Sequence, residues 1–101
     1  MISIIIPLYN EEDNVIHYPL ELFAIIDKIG ENAGEQIEYI FVDDGSRDDT
    51  IRKIRDVTAG RTDVRILLHE KNKGMGSAIR TGLAASSGNL VVTLDADLTF
   101  R

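Results

Sequence analysis

Four short runs rich in β-branched residues, Ile2 to Leu8, Ile37 to Val42, Val64 to Leu68 and Leu90 to Leu94, are separated by stretches whose apolar residues recur at helical spacing. Strand and helix therefore alternate along the whole chain, with short connections and no internal repeat. That order builds an α/β fold with a parallel sheet and right-handed helical crossovers. The first run, Ile2-Ser3-Ile4-Ile5-Ile6-Pro7-Leu8, shows no polar and apolar alternation, so it reads as a strand covered on both faces, in the middle of the sheet. If the chain winds outward, reverses and sets the fourth strand beside the first, the strand order is 3-2-1-4.

The intervening helices carry their own signals. Asn10 to Asn14 supplies acids and capping residues, after which Val15, Ile16, Leu20, Phe23, Ile26 and Ile29 recur at near-helical spacing, with a kink or break near Tyr18 imposed by Pro19. Gly30 to Gly34 reads as a turn-rich connection. Asp48 or Asp49 is predicted to cap a second helix through about Val57, with Ile51, Ile54 and Val57 inward and Gly60 ending it. A third helix is expected from Lys73 to Ser87, with Ala78, Ile79 and Leu83 inward.

Composition limits what such a sheet can bind. A net charge of -6, from 17 acidic and 11 basic residues, argues against a nucleic-acid partner and requires a local cation for any anionic ligand. The absence of Cys removes disulfides and thiolate metal sites, and His17 and His69 are too isolated for a zinc site, which leaves a hard, oxygen-liganded ion. No apolar run approaches the ~20 residues that span a bilayer, and the first residues lack the basic start of a signal peptide, so a cytoplasmic location is expected.

Open α/β sheets bind ligands at the carboxyl ends of their strands. The fourth run ends there in Leu94-Asp95-Ala96-Asp97-Leu98, two carboxylates at a spacing that can hold a divalent cation bridged to a diphosphate. The same residues can also form a plain turn in which one Asp caps the next element. The second run ends in Asp43-Asp44-Gly45-Ser46, again either a turn or a place where a carboxylate accepts hydrogen bonds from a base or ribose. In the predicted strand order, Tyr9, Asn10 and Glu11 share a crevice with Asp95 and Asp97, and Asp43 and Asp44 lie one strand further out. Gly74-Met75-Gly76 is no phosphate loop, because Ile79 stands in the place of a third glycine and the stretch follows strand three; loop shape or close packing accounts for these glycines. His69, beside Glu70 and Lys71, reads as a solvated strand end, His17 as a surface residue, and Arg52, Lys53 and Arg55 as an exposed helix face.

Taken in order, Ile5-Ile6-Pro7-Leu8-Tyr9-Asn10-Glu11, Val42-Asp43-Asp44-Gly45-Ser46-Arg47-Asp48-Asp49-Thr50, Asn72-Lys73-Gly74-Met75-Gly76 and Leu94-Asp95-Ala96-Asp97-Leu98 resemble the family 2 inverting glycosyltransferases. Within them the set is most similar to dolichol-phosphate mannose synthases and related polyprenyl-phosphate hexosyltransferases. The resemblance implies the Rossmann-like, nucleotide-sugar-binding half of a GT-A fold, which binds a GDP- or UDP-hexose with Mg²⁺ or Mn²⁺ and passes the sugar, with inversion, to an acceptor such as a lipid phosphate. It implies that Pro7, Tyr9 and Glu11 line the nucleotide pocket and that Val42, Asp43 and Asp44 surround base and ribose. It also implies that Asp95, Ala96 and Asp97 hold the metal-diphosphate, Asp97 being the direct ligand with Asp95 beside it.

Two positions depart from the family pattern: Asn89 follows Gly88 where Asp is frequent, and Thr99 stands where mannose synthases often carry Gln. By the resemblance, the general base and acceptor site lie downstream of Arg101, so residues 1–101 are expected to be the N-terminal donor-binding part of a longer enzyme, working at the cytoplasmic face of a membrane. Its fourth strand is expected to leave an open sheet edge through which copies self-associate. Two alternatives stand beside this one: a non-catalytic Rossmann-type interaction module, and a nucleotidyltransferase. The latter would be expected to show a basic, glycine-rich loop where this chain has the acidic Tyr9-Asn10-Glu11-Glu12.

Overall fold

A computed structural model describes residues 1–98 of the chain, so Thr99 and Arg101 lie outside the described residues. The elements are β1 (Ile2–Leu8), α1 (Glu12–Val15), a π-helical turn (Pro19–Phe23), α2 (Ala24–Ala33), β2 (Ile37–Asp43), α3 (Thr50–Val57), β3 (Val64–Leu68), α4 (Met75–Ala85) and β4 (Leu90–Thr93). All strand pairings are parallel and the order is β3-β2-β1-β4, as the alternation predicts. β1 is central: Ile2 to Leu8 pair with Ile37 to Asp43 on one side, and Ile2 to Ile5 pair with Leu90 to Thr93 on the other. Among the described residues no strand pairs with the outer edge of β4.

Because successive β1 side chains point to opposite faces, the unbroken Ile run feeds two cores at once. Ile4, Ile6 and Leu8 join Tyr39, Phe41, Val15, Tyr18, Leu22, Phe23 and Ile54, so α1, α2 and α3 cover one face. Ile5, with Ile40 and Val42, packs on Ala78 of α4 on the other face. Tyr18 stacks on Phe41 at 5.8 Å, and Phe23 meets Tyr39 edge-on at 4.8 Å. No helix among the described residues is long and apolar enough to cross a membrane.

The near-helical spacing of apolar residues after Glu11 makes one buried face only in part. α1 ends at Val15 and the next element starts at Pro19, so the break lies near Tyr18 as expected, but the chain then makes a π-helical turn in which the Ala24 amide donates to the Pro19 carbonyl. One extra residue wound into the turn rotates everything that follows relative to a continuous α-helix. Leu22 within the turn faces inward while Leu20 and, beyond it, Ile29 are exposed; ahead of the turn Tyr18 is buried and Ile16 exposed. Gly30 to Gly34 is no loop either, since α2 continues to Ala33 with Gly30 buried within it. On α4, Leu83 points outward and Gly82 takes the inner place, so close to Ile5 that a Cβ would sit 2.5 Å from Ile5 Cγ2.

Candidate functional site

The carboxyl ends of β1, β2 and β4 open into one cavity of about 410 Å³, whose wall includes Pro7, Tyr9, Glu11, Asp44, Asn72, Gly74, Asp95, Ala96 and Asp97. The crevice between β1 and β4 thus holds Tyr9, Glu11, Asp95 and Asp97, whereas Asn10, expected there too, does not line it and bonds to the loop after β2. Asp44 reaches it from β2. Val42 does not. Its side chain is fully buried among Ile5, Ile40 and Ala78, so the expectation that Val42 surrounds base and ribose is not met by that side chain. Asp43 lies at a neighbouring cavity of about 730 Å³ with Ser46, Arg47, His69 and Lys71. It is fully buried; Oδ2 accepts the Ser46 N–H at 3.0 Å, and Oδ1 has no hydrogen-bond partner among the described residues.

The loop after β1 is set by the one after β2. Asn10 adopts φ 52°, its N–H donates to Ser46 Oγ at 2.9 Å and its Oδ1 accepts the Arg47 N–H at 2.8 Å. The Glu11 N–H donates to Thr50 Oγ1 at 2.8 Å, and the Glu11 carboxylate accepts Asn14 Nδ2 at 2.8 Å. These bonds place Tyr9 and Glu11 on the cavity wall without tying up the Tyr9 ring, which is half-exposed.

The Asp-Ala-Asp segment follows directly from β4, where the Leu94 N–H continues the ladder to the Ile5 carbonyl at 3.0 Å. It closes as a turn, with the Leu98 N–H donating to the Asp95 carbonyl at 2.7 Å. The fully buried Tyr18 hydroxyl donates to the Ala96 carbonyl at 2.8 Å, across 78 residues of sequence. Burial first, then the charges of Glu11 and Asp97, push the Tyr18 pKa far above its ordinary value, so the phenol keeps the proton it donates.

Asp44 is the most enclosed acid at the cavity. Burial opposes its ionisation most strongly, but the His69 ring and the N–H groups of Lys73 and Gly74 together hold its pKa below the usual carboxylate range. Asp48 is lowered in the same way, with burial raising it and the Thr50 hydroxyl and N–H outweighing that. Carboxylates held low in the fold contribute stability that is complete above the unfolded value near 4 and is lost as pH falls through the folded value. Thermal melts are therefore expected to be flat from about pH 7 to 5 and to fall progressively below about pH 4; a melting temperature that rose on acidification would contradict this.

His69 corrects the sequence reading outright. Its side chain is 8% exposed, with Nδ1 2.7 Å from Asp44 Oδ1 and Nε2 2.8 Å from Thr81 Oγ1. Flanking Glu70 and Lys71 disguise it as surface, and nothing local in the sequence connects it to a carboxylate 25 residues away. Tyr18 is missed for the same reason. Gly74, by contrast, is accounted for by loop shape: φ is +96°, and nothing lies within 4 Å of where its Cβ would stand.

The sequence and fold also place the chain among known proteins. Residues 3–101 match the family described as Glycosyl transferase family 2. Over 98 residues the chain is 38% identical to the undecaprenyl-phosphate 4-deoxy-4-formamido-L-arabinose transferase of Klebsiella pneumoniae, a match covering 96% of this chain and 29% of that protein. It is 37% identical over 97 residues to the dolichol-phosphate mannosyltransferase of Pyrococcus furiosus, covering 96% of this chain and 26% of the relative. A mannosyltransferase from Pyrobaculum calidifontis, solved in complex with GDP-Man and Mn²⁺, superposes with a TM-score of 0.70 at 25% identity, over 95% of this chain and 27% of that one. The chain therefore spans less than a third of the length of these proteins, and its β3-β2-β1-β4 sheet is the GT-A arrangement of the solved neighbour. Motif order, sheet order and sequence agree: the chain belongs to glycosyl transferase family 2.

Proposed function

We propose that this chain is the donor-binding portion of an inverting glycosyltransferase that passes a hexose from a GDP or UDP carrier to a polyprenyl phosphate at the cytoplasmic membrane face. The observation that carries this is the single cavity joining Tyr9, Glu11 and Asp44 with Asp95, Ala96 and Asp97 at the strand ends. Pro7, Tyr9 and Glu11 border the nucleotide, Asp44 accepts hydrogen bonds from base or ribose, and Asp95 to Asp97 face the diphosphate. Asp43 supports the Asp44 turn from beneath through its bond to Ser46.

The donor set suits Mg²⁺ or Mn²⁺. Both ions take hard oxygen ligands, and Mg²⁺ in particular is held by one or two carboxylates, with substrate phosphates and water completing the shell. Among the described residues no group of three metal-ligating side chains stands together, which fits an ion shared with the ligand rather than caged by protein. Asp97 and Asp95 would hold it. Bound there, a divalent cation supplies Lewis-acid stabilisation of the departing diphosphate. The chain's own part is to orient: Tyr18 holds the Asp-Ala-Asp backbone in place, and the acidic wall of Glu11, Asp44, Asp95 and Asp97 repels a diphosphate that arrives without its cation.

A thermal-shift panel of GDP, UDP, CDP and TDP, each with and without Mn²⁺, tests this. At about a hundredfold excess over the dissociation constant the gain is roughly 2.7 kcal/mol, or about 10 °C or more in a domain of this size. A metal-dependent shift for GDP or UDP is expected. If a cooperatively melting sample responds to none of the four, the non-catalytic interaction module replaces this proposal. Self-association through the outer edge of β4, with which no strand pairs among the described residues, is tested in the same samples by sedimentation, which would register a dimer or discard it.

A further inference from the structure

Asp44 is almost entirely enclosed, yet it borders the cavity. Its Oδ1 accepts the Lys73 N–H at 2.9 Å and lies 2.7 Å from His69 Nδ1; its Oδ2 accepts the Gly74 N–H at 2.8 Å. An ionised carboxylate has no proton to give, so Nδ1 is the donor. A carboxylate offers about four acceptor positions. Three are taken among the described residues, and the fourth belongs to Oδ2.

The imidazole is itself held at both ends. Nε2 lies 2.8 Å from Thr81 Oγ1 on α4, and that oxygen lies 3.0 Å from the Ser77 carbonyl, so its single hydroxyl proton serves one of the two. The His69 N–H donates to the Asp43 carbonyl at 2.8 Å, which extends the β2–β3 ladder by one bond. One ring therefore ties the ends of β2 and β3 to the body of α4, and it does so through the acid that borders the cavity.

We propose that His69 is a positioning residue for nucleoside recognition: by filling Oδ1 and fixing the plane of the carboxylate, it directs the remaining acceptor position of Asp44 Oδ2 to a ribose hydroxyl or a base N–H. This rests on the nucleotide reading of the cavity given above. A histidine that only filled space would be replaceable at a cost in stability alone. A positioning histidine costs recognition of the nucleoside and leaves recognition of the diphosphate intact.

The experiment compares the parent chain with His69→Leu, His69→Gln and Thr81→Val by calorimetry, using Mn²⁺ with GDP or UDP and Mn²⁺ with inorganic pyrophosphate, which has neither ribose nor base. His69→Leu is expected to weaken nucleoside diphosphate binding about tenfold, the scale of one charge-assisted hydrogen bond, and to leave pyrophosphate binding within about twofold. His69→Gln restores a donor and should recover most of the loss. Thr81→Val frees only the far end of the ring and should cost about threefold, within the range of a neutral hydrogen bond; it carries the test if His69→Leu does not fold. Unchanged nucleoside affinity in the folded variants, or an equal loss for pyrophosphate, would overturn the role of His69. A parent chain that binds neither ligand would instead sink the donor-site proposal itself.

Discussion

Asp97→Asn combined with Asp95→Asn is expected to remove Mn²⁺-dependent nucleoside diphosphate binding, with an affinity loss of at least about 100-fold, or roughly 2.7 kcal/mol. Each substitution keeps the size and one oxygen of the side chain but deletes a negative charge. Among the described residues no group of three metal-ligating side chains stands together, so the two substitutions remove both carboxylates proposed to hold the ion. Asp97 is exposed, and the bonds from Leu98 N–H to the Asp95 carbonyl and from Tyr18 to the Ala96 carbonyl are accepted by backbone oxygens that both substitutions keep; a thermal melt of the variant checks that it folds. Titration with Mn²⁺ and again with a chelator separates the two contributions. A doubly substituted chain that bound nucleotide as tightly as the parent, and still needed Mn²⁺, would show that the ion sits elsewhere.

Gly45→Ala is expected to be the most damaging single methyl group in the chain. Gly45 has φ +76°, where an L side chain costs roughly 1–2 kcal/mol. Its Cβ would also stand 2.7 Å from Asn72 N and 2.8 Å from the Lys71 carbonyl carbon, and backbone atoms cannot swing aside as a side chain can. With overpacking at roughly 1–3 kcal/mol, the sum is about 3 kcal/mol, or roughly 12–24 °C in melting temperature. Because Asn72 and Gly74 line the cavity, the displaced loop should weaken nucleotide binding as well. A variant melting within about 3 °C of the parent would mean that the 71–72 backbone yields at little cost.

What the sequence made legible was whatever repeats locally or ends a strand. The β-branched runs announce the strands, the lack of alternation in Ile2 to Leu8 puts β1 at the centre, and the order 3-2-1-4 then brings Tyr9 and Glu11 to Asp95 and Asp97 with no contact known in advance. Periodicity failed where the backbone left its regular path. The π-helical turn at Pro19 to Phe23 changes phase, so Leu20 on the expected face is exposed while Leu22 is buried. It also failed where a polar residue is buried by a distant partner. His69 and Tyr18 look ordinary in their own neighbourhoods, and their meaning lies in Asp44 and in the Ala96 carbonyl, each more than twenty residues away. Val42 is placed at the pocket by the resemblance alone; strand alternation sends its side chain into the core, which leaves only its backbone to face a ligand.

The bond between Tyr18 and Ala96 has a consequence for entropy. Ordering a residue's backbone costs roughly 1–2 kcal/mol, and a loop that takes up its binding shape only when the ligand arrives subtracts that cost from the affinity. Here the middle peptide of Asp95-Ala96-Asp97 is already fastened to the helical layer by a phenol that keeps its proton across the physiological range. Much of that ordering cost is met when the chain folds, and little of it is left to be met on the proposed binding of cation and diphosphate.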